Sequence, residues 1–75
     1  MTLDLGNVYQ TYEIQKINLP LNVEKRLEAL GMTLGSTVDV LNNKNKGTLI
    51  IKVRGTRFAI GKGISKKIRV QEIKK

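Results

Sequence analysis

Over most of this chain apolar and polar residues alternate one for one, the period of a strand with one buried face. Tyr12 and Ile14 alternate with Glu13 and Gln15, which predicts a first strand over Thr11 to Ile17. Val38 and Val40 share a face opposite Asp39 in a second strand, Ser36 to Leu41. Leu49, Ile51 and Val53 do the same in Thr48 to Val53, and Phe58 and Ile60 in Thr56 to Ile60. A fifth strand, Lys67 to Ile73, turns Ile68 and Val70 inward, with an irregularity expected before Ile73. One stretch keeps a different period. Val23, Leu27 and Leu30 stand at i, i+4 and i+7, a single apolar stripe on a short helix.

The residues between these segments turn the chain. Pro20 biases Leu19 away from helical torsions, and Asn22 is the expected N-cap of the helix. Gly31 follows the last stripe residue, where a helix closing in the left-handed conformation favours a residue without a Cβ; Gly35 permits a second bend. Asn42 to Gly47 reads as a polar loop, and Arg54-Gly55 as a two-residue hairpin in which Gly55 supplies the positive φ. Gly6 and Asn7 mark a turn in the lead-in, and Gly61 to Lys66 a loop or single helical turn. Five short strands with tight turns and one helix cannot cover both faces of a flat sheet. Curling hides the inner face and limits exposed edges. The expected fold is mainly β: a small SH3-like, partly open barrel of about five strands with one short α-helix, a single domain over residues 1–75.

Composition narrows the chemistry. The 75 residues include no Cys and no His, which removes disulfides, thiolate and imidazole metal ligands, and the commonest general base. A nucleophile would have to be Ser36, Ser65 or a threonine beside a lysine, and no spacing singles one out, so an enzyme is not expected. Glu24 and Glu28 share a helix face at i, i+4, but two carboxylates make a poor iron site without a third ligand. The residues therefore predict no metal site and no cofactor. Gly61-Lys62-Gly63 lacks both the glycine spacing and the following hydroxyl of a phosphate-binding P-loop. The longest aliphatic run, Leu49-Ile50-Ile51, falls far short of the roughly 20 residues that span a bilayer, and a soluble, cytoplasmic protein is expected.

Charge is unevenly spread. The chain carries a net +8; up to Asn43 three basic residues face five acidic ones, whereas from Lys44 onward eleven basic residues accompany Glu72 alone. Such asymmetry suits an acidic partner, although a solvated face that keeps a small domain soluble has the same composition. A nucleic acid is one alternative, contacted by Lys44, Lys46, Lys52, Arg54, Arg57, Lys62, Lys66, Lys67 and Arg69. Against it, the three aromatics are Tyr9, Tyr12 and Phe58, and Phe58 is patterned inward, leaving few platforms for base stacking.

Arg26-Leu27, Leu30-Gly31-Met32 and Gly35, followed by Val38, Val40 and Leu41, then Val53-Arg54-Gly55, Phe58-Ala59-Ile60 and Ile68 with Val70, resemble the FeoA family. With Gly6 in the lead-in, the resemblance runs through most of the chain. It implies an SH3-like barrel of bacterial ferrous-iron transport, a family associated with transition metal ion binding. The implied partner is FeoB, the membrane permease with a cytoplasmic G-protein domain, and the implied location is the cytoplasm, peripheral to the inner membrane through that partner. Weak self-association is the other partner expectation. Similar domains end metal-dependent repressors of the diphtheria-toxin-repressor type. The candidate partner contacts are Lys44, Lys46, Arg54 and Arg57, with Met32 and Leu34 as an apolar patch beside the helix turn. The simpler role for Met32 and Leu34 is closure of the core.

Overall fold

The structure, a computed structural model, describes residues 1–44 and 47–73. Five strands form one antiparallel sheet: β1 (Thr11–Ile17), β2 (Thr37–Lys44), β3 (Thr48–Val53), β4 (Thr56–Ile60) and β5 (Ile68–Glu72), in the order β4-β3-β2-β1-β5. Helix α1 (Leu21–Ala29) joins β1 to β2, and a single helical turn, α2 (Lys62–Ser65), joins β4 to β5. The sheet is open between its end strands β4 and β5 among the described residues. The alternation read from the sequence supplies the core: Tyr12, Ile14, Val38, Val40, Leu49, Ile51, Val53, Ile60, Ile68 and Val70 are all buried, with Phe58 packed against them. Fully burying a side chain of this kind contributes about 1.5–3 kcal/mol, and a chain without disulfides depends on that set.

Four local features depart from the pattern. First, β2 runs on through Asn42 and Asn43 to Lys44, where a loop is expected. A register shift between Val40 and Asn42 re-aligns the strand, so that Asn42, Asn43 and Lys44 pair with Ile50, Leu49 and Thr48. Ladder hydrogen bonds use only the backbone, and these polar side chains are exposed, so nothing opposes the extension. Second, the irregularity lies in β1 between Ile14 and Lys16, not before Ile73. Ile14 and Ile17 are an odd number of residues apart, and one extra residue returns Ile17 to the core side, opposite Ile68.

Third, Asn22 does not cap α1. Pro20 holds the cap position with φ −56°, and its carbonyl accepts the N–H groups of Val23 at 3.0 Å and Glu24 at 2.9 Å. Fourth, the lead-in carries a 3-10 turn, Leu3–Leu5, that buries Leu3 completely. Gly6 lets this segment close on the sheet. A Cβ there would lie 3.0 Å from the Leu3 carbonyl oxygen, 3.1 Å from the Tyr12 ring and 3.2 Å from a Val40 methyl. The Tyr12 hydroxyl accepts the Asn7 N–H at 2.8 Å and fastens the same segment.

Candidate docking surface

Helix α1 ends as the glycine spacing requires. Gly31 takes φ +97° and its N–H donates to the Glu28 carbonyl at 2.9 Å, while the Met32 N–H reaches the Leu27 carbonyl, also at 2.9 Å. This is the paired closure in which the residue after the glycine packs on the helix residue whose carbonyl it binds. Met32 is accordingly fully buried beside the buried Leu27, so it belongs to the core and not to a surface patch. Leu34 separates from it within two residues. The Ser36 N–H donates to the Thr33 carbonyl at 3.1 Å, and Gly35 has φ +85°, so Leu34 sits at the tip of a tight turn, 63% exposed.

The β3–β4 connection is a two-residue turn between the paired Val53 and Thr56. Both Arg54 (φ 51°) and Gly55 (φ 83°) are left-handed, the torsions of a type I′ hairpin. Arg54 is a non-glycine in a conformation that costs roughly 1–2 kcal/mol. Its aliphatic stem lies over Gly31, where a Cβ would come within 3.0 Å of the Arg54 Cδ. The hairpin tip therefore rests on the end of α1 with its guanidinium exposed, and Arg57, two residues into the return strand, is exposed opposite Lys52.

Of the six predicted contact residues, Arg54 and Arg57 share one hairpin and Leu34 occupies the turn following Gly31. Lys44 is exposed but lies opposite Thr48, at the other end of β3. Strand rise separates it from the Arg54 turn by roughly 17 Å. Lys46 lies outside the described residues. Sequence reasoning missed Tyr9, which is 85% exposed at φ 69°, as no local pattern marks a tyrosine for a left-handed torsion. The other two aromatics are turned in: Tyr12 is fully buried and Phe58 packs against the core. Two acidic side chains of the sheet have their own partners. Asp39 accepts from the Thr11 hydroxyl at 2.6 Å, and Glu13 from the Gln15 amide at 2.7 Å.

A model of the FeoA domain matches residues 1–72. The chain belongs to the FeoA domain family. A Methanocaldococcus jannaschii protein named for Fe(2+) transport is 36% identical over 59 residues, 79% of this chain and 71% of that protein. The crystal structure of an iron uptake regulatory protein (FeoA) superposes with a TM-score of 0.84 at 32% identity, covering 96% of this chain and 95% of that one. Stenotrophomonas maltophilia FeoA, described as a procaryotic SH3 domain protein and solved with zinc, superposes at 0.79 with 25% identity over 95% of this chain and 89% of that one. The SH3-like mainly β fold expected of this FeoA-family chain is the fold it has. Its own donors do not suit a resident transition-metal ion. It has neither His nor Cys, and among the described residues no three acidic side chains come together. Among the same residues no helix is long and apolar enough to cross a membrane.

Proposed function

We propose that this chain is a non-enzymatic accessory protein of ferrous-iron transport, acting in the cytoplasm by contact with the G-protein domain of a FeoB-like permease. The observation that carries the reading is the FeoA domain match over residues 1–72, supported by the relative named for Fe(2+) transport. The contact is built on Arg54 and Arg57 with Leu34, two cations of the β3–β4 hairpin and an exposed leucine in the turn after Gly31. An arginine offers a planar fork to a carboxylate, so the complementary surface is acidic. Met32 supports the turn from beneath, and Lys44 and Lys46 add long-range attraction. Nucleic acid is the less supported partner, since Tyr9 is the one fully exposed aromatic and bases have little to stack on.

Calorimetric titration of the chain with the isolated G-protein domain of such a permease tests the reading. Arg54→Gln/Arg57→Gln keeps the stem over Gly31 and removes both charges. Binding should weaken by about tenfold or more while the Tm stays within a degree or two. Absence of binding by the unsubstituted chain sinks the proposal.

A further inference from the structure

At the other end of the strand order from the β3–β4 hairpin, a cleft of about 280 Å³ opens beside β1, β5 and the turn that follows α2. It is lined by Thr2, Lys16, Asn18, Lys66, Lys67 and Arg69: four cations, two neutral hydrogen-bonding residues and no carboxylate. Three separate stretches of chain meet here and are tied by backbone bonds. The Asn18 N–H donates to the Lys67 carbonyl at 2.9 Å, and the Val70 N–H to the Met1 carbonyl at 2.9 Å.

Lys16 and Arg69 stand directly opposite one another in the β1–β5 register, immediately after the β1 bulge. Like charges so placed leave the same face about 5 Å apart at Cα and repel. The sheet has another like-charged pair, Lys52 opposite Arg57, but there Asp39 stands on the other side of Lys52 in the same row. Among the described residues the Lys16–Arg69 row has no such neighbour. Beyond Arg69 comes Thr2, whose hydroxyl donates to Asp4. The one acid of β5, Glu72, lines an adjoining hollow that Arg69 also borders. Four cations around one concavity, uncompensated by any lining carboxylate among the described residues, match a ligand with more than one negative charge.

We propose that the cleft of Lys16, Asn18, Lys66, Lys67 and Arg69 binds a phosphate group, either free or carried on a lipid headgroup. A tetrahedral oxyanion presents enough acceptors to take the Arg69 fork and several ammonium groups together. Hydrogen bonds from a charged donor to a charged oxygen are roughly twice as strong as neutral ones, and several can act on one anion together. The site lies apart from the proposed permease contact and does not depend on it.

Two arms test the site and name the source of the phosphate. In the first, ¹⁵N-labelled protein is titrated with inorganic pyrophosphate at low ionic strength. Saturable shifts are expected at the amides of Lys16, Asn18, Lys66, Lys67 and Arg69. Lys16→Gln/Arg69→Gln should weaken them by about tenfold or more, and Lys52→Gln/Arg57→Gln should leave them unchanged. In the second, co-sedimentation with phosphatidylglycerol vesicles, against phosphatidylcholine, reports a headgroup through the same pair of variants. Dependence on Lys16 and Arg69 in either arm supports the cleft. The proposal is overturned if the Lys16→Gln/Arg69→Gln protein, its unchanged Tm showing it folded, matches the parent in both arms. Shifts spread evenly over Lys44, Lys52, Arg57 and Lys62, with vesicle binding indifferent to the cleft pair, overturn it equally.

Discussion

Gly31 and Gly35 are both left-handed, at φ +97° and +85°, yet their surroundings differ. At Gly31 a Cβ would press on the Arg54 stem at 3.0 Å, whereas at Gly35 nothing lies within 4 Å. Alanine at either position bears the left-handed cost of about 1–2 kcal/mol, or roughly 5–15 °C of Tm in a domain of this size. Gly31→Ala also has to displace Arg54, so its Tm should fall further than that of Gly35→Ala. Equal losses in thermal denaturation would mean that the hairpin does not rest on the helix end. Both glycines are legible in the sequence as turn positions. The contact with Arg54 is not, because Arg54 lies 23 positions further along the chain than Gly31. Gly6 teaches the same lesson. The sequence marks it as a turn, whereas the structure needs its bare Cα because Leu3, Tyr12 and Val40 converge there.

Among elements, β1, β2 and β3 are paired on both sides, whereas β4 and β5 each have one partner strand in the sheet. Amides held in interior ladders open only with larger units of structure. In native-state hydrogen exchange the amides of Val38, Val40 and Ile51 should therefore be the slowest. They should outlast ladder amides of β4 by about tenfold or more. Comparable protection in β4 would mean that its outer edge is covered. The strand periods were readable because alternate side chains enter one core. The extension of β2 to Lys44 was not, since polar side chains say nothing against a backbone ladder at an exposed hairpin end. The bulge in β1 has a signal in the odd spacing of Ile14 and Ile17, which strict alternation does not carry. The helix starts earlier than cap chemistry alone predicts: Asn22 is a good cap chemically, but Pro20 fixes the entry torsion.

At the scale of the whole molecule, a net +8 is carried on a body of 28 × 28 × 23 Å. The screening length is about 30 Å at 0.01 M salt and about 8 Å at 0.15 M, so at low salt the cations repel one another across the entire protein. The Tm should rise by several degrees between those two concentrations of sodium chloride. A flat response would mean that the positive groups are already neutralised in pairs. The sequence by itself determined the strand and helix periods, the turn glycines, the absence of reactive and soft metal-binding side chains, and the excess of positive charge. Each of these is written in residue type and near-neighbour spacing. Only the tertiary structure decided that Met32 goes inward while Leu34 stays out, that Arg54 lies across Gly31 and Lys44 far from it, and that Lys16 meets Lys66, Lys67 and Arg69 around one cleft. The contacts of Arg54 with Gly31 and of Lys16 with Lys66, Lys67 and Arg69 join residues distant along the chain, and strand register, which helps set them, depends on where bulges fall and not on local composition.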